Sequence, residues 1–178
     1  PDLPGGDDAS IVTVKFVREL ADRGNRVILV DMTAIGTLGR AMLDGGNRSG
    51  ITDLLAGERR FGDTIHTDHY SQAHIMPLGK VVPATAMRSA ERLPHILDAL
   101  ETVYDFVVVE CGPSTAQQIA CIFDRSAIVI MNIVDPNDHR VITAAMDMDQ
   151  SGYEDVIIVM DNLKRSSELK NGIPQTAA

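Results

Sequence analysis

Gly24-Asn25-Arg26-Val27-Ile28-Leu29-Val30-Asp31 is the stretch that decides the fold. A glycine and an asparagine close a helix, and four apolar residues in a row then read as a strand buried on both faces and ended by an aspartate. Upstream, Ile11, Val14, Val17, Leu20 and Ala21 recur at helical spacing between Lys15, Arg18, Glu19, Asp22 and Arg23, which predicts an amphipathic helix over 10–23. Helix, tight turn and buried strand make half of an α/β unit.

The alternation continues outward from this stretch. His74 to Leu78 reads as a strand, Leu93 to Val103 as a helix with Leu93, Ile96, Leu97 and Leu100 on one face, and Asp105 to Val109 as a strand. Ser126 to Met131, Asn137 to Gln150 and Asp155 to Met160 follow as strand, helix and strand, the helix aligning Val141, Ala144, Ala145 and Met148. Apolar strands separated by amphipathic helices predict a doubly wound α/β fold with a mostly parallel sheet covered on both faces. The 178 residues fit one domain, expected over 4–162, followed by a flexible C-terminal tail over 163–178.

Composition narrows the function classes. Sixteen Lys and Arg against 25 Asp and Glu leave a net charge of −9, which disfavours nucleic acid as a partner because its backbone is repelled. No apolar run approaches the roughly 18 residues that cross a bilayer. The two cysteines, Cys111 and Cys121, are too few for a disulfide framework and read as small buried apolar residues. His66, His69 and His74 lack cysteine partners and read as a solvated region and not as a zinc site.

Open parallel sheets bind ligands beyond the carboxyl ends of their strands. Three places there carry chemistry: the loop Pro4-Gly5-Gly6-Asp7-Asp8-Ala9-Ser10 opening into the first helix, Asp31-Met32-Thr33, and Glu110-Cys111-Gly112-Pro113. Backbone amides at a helix start, with acidic residues at two neighbouring strand ends, are the skeleton of a nucleotide and Mg²⁺ site.

In this order, together with Ser49-Gly50-Ile51-Thr52-Asp53-Leu54-Leu55-Ala56-Gly57, His74-Ile75-Met76-Pro77-Leu78-Gly79 and Tyr104 to Glu110, the chain resembles the cytoplasmic P-loop domain of bacterial tyrosine kinases. Those domains serve exopolysaccharide and capsule synthesis and export and are relatives of the MinD and ParA ATPases. The resemblance implies a P-loop NTPase fold, ATP or ADP with Mg²⁺ as cofactors if the site is retained, and polysaccharide machinery at the inner membrane or further copies of the chain as partners. It also implies a cytoplasmic location, as the cytoplasmic domain of an inner-membrane protein.

Carried over residue by residue, the resemblance places the phosphate loop on Gly6, Asp7, Asp8, Ala9 and Ser10, puts Mg²⁺ on Ser10, Asp31 and Glu110, and makes Asp31 and Glu110 the catalytic carboxylates. The family's glycine and phosphate-gripping lysine are here Asp8 and Ala9, its second aspartate is Thr33, and its third-motif aspartate is Glu110. Losing a cation and gaining an anion moves the loop by two charge units against phosphate, each worth roughly 3 kcal/mol at about 5 Å and a dielectric near 20. The family's strand before the phosphate loop would precede Pro1, supplied by a longer chain or from elsewhere, and residues 162–178 contain no tyrosine where the family carries a tyrosine-rich tail. The expectation is therefore a regulatory domain with weakened or lost ATP hydrolysis. An active Mg²⁺-ATPase or tyrosine kinase with a cation from elsewhere, and a MinD- or ParA-like positioning ATPase, are the alternatives.

Overall fold

The structure, a computed structural model, describes residues 6–43, 45, 48–133 and 139–160. The tail expected over 163–178, together with Pro4 and Gly5, lies outside the described residues. The chain divides into two compact units, residues 1–124 and 125–178.

In the first unit, helix α1 (Gly6–Asp22) leads into strand β1 (Val27–Asp31). Gly24, at φ 89°, takes the left-handed conformation that closes α1 and donates its amide to Ala21. Short helices α2 (Thr37–Met42), α3 (Ile51–Leu55) and α4 (Phe61–Thr64) follow, then strands β2 (His66–Thr67) and β3 (His74–Met76). Helix α5 (Pro83–Ala86), a 3₁₀ turn (Met87–Arg92) and α6 (Leu93–Glu101) lead to β4 (Phe106–Glu110) and α7 (Ala116–Ala120). The sheet runs β2-β3-β1-β4, parallel except for β2, with Val30 beside Met76 on one side and Val109 on the other.

β1 is buried along its whole length and its side chains alternate between two cores, as period-two geometry requires. Ile28 and Val30 pack with Ile51, Leu54, Leu93, Ile96 and Leu100 on one face. Val27 and Leu29 pack with Val14, Val17, Leu38 and Met42 on the other. The double winding predicted from the sequence is thus built around this one strand. Gly50 shows how tightly the loops close over it: a Cβ there would fall 1.8 Å from the Pro77 carbonyl oxygen, which accepts the Ile51 amide at 2.8 Å.

Four sequence expectations are corrected. α1 begins at Gly6, so Gly6 to Ala9 lie in its first turn instead of in an open loop. The inward stripe of α1 is Ser10, Val14, Val17 and Ala21, while Ile11 is exposed, because a 3.6-residue period aligns position 10 with 14 and 17. β3 ends at Met76, since the carbonyls of Pro77 and Leu78 turn to the amides of α3. β4 is only half-buried, its other edge lacking a hydrogen-bonded strand among the described residues.

The second unit holds β5 (Val129–Ile133), α8 (His139–Gln150) and β6 (Val156–Met160), with β5 and β6 paired in parallel. Met148 of α8 and Tyr153 are buried. Among the described residues no helix is long and apolar enough to cross a membrane.

Candidate functional site

β1 and β4 end side by side, Asp31 opposite Glu110, because their apolar cores pair residue for residue from Val27 and Phe106 onward. The Met32 amide donates to the Glu110 carbonyl at 2.9 Å and fixes the two strand ends together. α1 crosses above them and brings two hydroxyls, Ser10 and Thr13, to the same region.

Each acidic group is occupied by the protein itself. Asp31 is fully buried, and its Oδ1 accepts from the Thr33 amide at 3.0 Å and the Thr33 hydroxyl at 2.6 Å. Its Oδ2 accepts from the Leu38 amide at 3.2 Å. Burial pushes its carboxyl above the usual aspartate range, against the opposing pull of the Thr33, Gly39 and Leu38 hydrogen bonds. The Thr33 hydroxyl in turn accepts from the Gly36 amide at 3.1 Å, so the carboxylate organises the whole 33–38 segment. Glu110 Oε2 accepts from the Thr13 hydroxyl at 2.5 Å and Oε1 from the Gly112 amide at 3.2 Å. Ser10 is buried, with its Oγ 2.8 Å from Thr37 Oγ1.

The structure therefore places Ser10, Asp31 and Glu110 at one end of the α1, β1 and β4 layer, paired with Thr37, Thr33 and Thr13 respectively. It places Gly6, Asp7, Asp8 and Ala9 in the turn immediately before Ser10. Thr13 and Thr37 were not singled out from the sequence. Thr13 carried a signal, standing three residues after Ser10 on the same helix face. Thr37 lies in a six-residue helix too short to announce itself.

Among the described residues no cluster of three or more His, Cys, Asp or Glu is placed to hold a metal. His66 lies in β2 and its ring bonds the Ser49 carbonyl at 2.9 Å, and His74 bonds the Tyr104 hydroxyl at 2.7 Å. Asp68, read from sequence as part of a solvated region, is instead buried and held by Arg18 Nε and Nη2, each at 2.8 Å. The cysteines are not both buried: Cys121 is exposed and Cys111 half-buried. Burial, with the nearby Glu110 charge, pushes the Cys111 thiol up to about 11, which makes it a poor nucleophile.

No family model matches the chain. It is similar to the tyrosine-protein kinase CpsD of Streptococcus agalactiae, 22% identical over 166 residues that span 90% of this chain and 72% of that protein. The kinase domain of the Escherichia coli tyrosine kinase ETK superposes with a TM-score of 0.74 at 16% identity, covering 97% of this chain and 66% of that one. The chain shares the fold of these kinase domains. The same fold is shared with MinD of Pyrococcus horikoshii in complex with Mg-ADP, at a TM-score of 0.68 and 19% identity, over 98% of this chain and 71% of that one. Thr33, where the resemblance leads one to expect the family's second acidic residue, turns its hydroxyl back onto Asp31.

Proposed function

We propose that this chain is the tyrosine-kinase-like P-loop domain of a polysaccharide synthesis or export system, and that it acts by contact with that machinery or with its own copies instead of by turning over ATP. The polysaccharide assignment follows the resemblance of the Gly50 to Gly57 and Pro77 to Gly79 stretches, supported by the likeness to CpsD and to kinase domains of the same fold.

The observation that carries the regulatory reading is the self-satisfaction of the site. A Mg²⁺-triphosphate needs a free serine hydroxyl, open carboxylate oxygens and a cation. Here Ser10 is paired with Thr37, Asp31 with Thr33 and Leu38, and Glu110 with Thr13 and Gly112. Ala9 supplies no cation and Asp8 adds an anion. This donor set does not fit the cofactor, so no catalytic step is routed through it. What it does well is fasten α1 to the strand ends and to α2.

Calorimetric titration with Mg²⁺-ATP, alongside a phosphate-release assay, tests the reading. The expected result is no tight, Mg²⁺-dependent binding and no turnover by the natural chain, with binding gained in Asp8→Gly/Ala9→Lys. Tight Mg²⁺-dependent ATP binding by the natural chain would sink it.

A further inference from the structure

Beyond the carboxyl ends of β1 and β3, a cavity of about 320 Å³ opens against the Pro77–Gly79 turn. None of the residues lining it belongs to the Ser10, Asp31 and Glu110 cluster, and none is acidic. Two are cationic. Arg40 and Arg48 both stand at the cavity, both are exposed, and neither has an ion-pair or side-chain hydrogen-bond partner among the described residues. Arg18, Arg23 and Arg26 each hold a carboxylate, whereas Arg40 and Arg48, like the exposed Arg59, Arg60 and Arg88, hold none among the described residues; of these five, Arg40 and Arg48 line the cavity.

The rest of the lining is apolar. Leu43 and Pro77 are buried, Leu78 is half-buried and Ile35 is exposed at the mouth. Glycines 36 and 39 let this wall close: a Cβ at Gly36 would meet the Leu78 Cβ at 3.1 Å, and one at Gly39 the Pro77 Cβ at 3.3 Å. A void with apolar walls and two guanidinium forks unpaired among the described residues matches a ligand with a compact body and a concentrated negative charge. A phosphate monoester carries close to two negative charges at neutral pH and offers oxygens to two forks, whereas a carboxylate satisfies one. The volume, at the lower end of small-molecule sites, limits the body to about one ring.

We propose that this cavity binds a small organic phosphate monoester, with Arg40 and Arg48 gripping the phosphate and Ile35, Leu43 and Leu78 covering the organic body. The site is independent of whether the phosphate loop accepts ATP. Phenyl phosphate and glucose 1-phosphate are the probes, because they separate an aryl ester from a sugar ester, and inorganic phosphate is the reference for charge alone.

Titration of the folded chain at low salt is expected to give saturable binding of at least one monoester, with a Kd below about 1 mM and at least about fivefold tighter than inorganic phosphate. Arg40→Ala and Arg48→Ala are each expected to weaken it by about tenfold, the loss of one charge-assisted contact. Arg88→Ala, at another exposed arginine, leaves it unchanged. Amide shifts at Gly36, Gly39 and Gly79 should move with the same titration. Both cavity arginines are exposed and unpaired among the described residues, so unaltered thermal melting of the variants separates lost binding from lost folding. Three results would each overturn the proposal: no saturation by either monoester, binding that survives both substitutions, or a monoester held no tighter than inorganic phosphate.

Discussion

Replacing Asp31 by alanine separates a structural carboxylate from one kept for a ligand. A carboxylate reserved for metal or substrate is a burden on the folded state, and its removal leaves stability unchanged or raises it. Asp31 instead accepts the Thr33 and Leu38 amides and the Thr33 hydroxyl, and it is fully buried. Alanine would orphan two backbone donors beside a buried strand end, at about 1–3 kcal/mol each. Set against this is relief from holding a charge out of water, which is why burial raises this carboxyl above the ordinary aspartate range. The net expectation is a loss of about 3 kcal/mol, or a fall of roughly 1.5 M in the urea midpoint for a denaturant slope near 2 kcal/mol per molar.

The pH dependence supplies a second readout. Because the folded carboxyl titrates above its ordinary value of 3.8, the native state binds more protons than the unfolded state between the two values. Stability from this group therefore falls as pH rises through that window and is level above it. Asp31→Asn removes that slope, and it retains part of the loss because its amide nitrogen would face the Leu38 N–H. Urea unfolding of the first unit, followed at several pH values, checks both points. An Asp31→Ala variant with the urea midpoint of the natural chain would refute the structural role.

Three further outcomes follow from the same geometry. Arg18→Ala strands the buried Asp68 carboxylate, which keeps only Ser71 Oγ at 2.7 Å among its side-chain donors, and should cost about 3 kcal/mol in urea unfolding. The Arg18 pair holds Asp68 below the ordinary aspartate range, so its contribution is complete above about pH 4 and is lost as pH falls through the lowered value; the gap between variant and natural chain should narrow there. Gly50→Ala places a Cβ against the Pro77 carbonyl, a backbone atom that cannot step aside, and should abolish cooperative unfolding or lower the melting temperature by about 6 °C or more. Iodoacetamide at pH 8 should label the exposed Cys121 well before Cys111, whose thiol is pushed up to about 11, as read by peptide mass spectrometry.

Much of the fold was legible because β1 and the buried face of α6 carry dense apolar signals: Val27 to Val30 in one run, and Leu93, Ile96, Leu97 and Leu100 at helical spacing. α2, α3, α4 and α7 have four to six residues each, less than two helical turns, so no periodicity could announce them. They form because Asp31, Asp53, Asp63 and Thr115 bind amides around their first turns. The apolar run of β4 predicted a fully buried strand, yet burial depends on a neighbour at each edge, and within the described sheet β4 has β1 alone. Asp68 was misread because a polar neighbourhood in sequence says nothing about an arginine fifty residues upstream.

The candidate site was legible in position and not in purpose. A strand-end aspartate is visible in any sequence, but whether it faces a ligand or its own loop depends on backbone amides that no residue type encodes. Asp31 turns inward because the 33–38 segment folds back over it, and Thr33 can do this where an aspartate could not: a second carboxylate there would repel the first, while a hydroxyl donates to it. Glu110 makes the complementary change. Its extra methylene, relative to an aspartate at the same strand end, lets one oxygen reach Thr13 on α1 while the other accepts the Gly112 amide. The two substitutions act in the same direction. On the proposed correspondence with a P-loop site, each converts a group that would stay open for phosphate and metal into one half of an internal hydrogen-bonded pair, and the proposed charge change at Asp8 and Ala9 removes the attraction that would otherwise compete with those pairs.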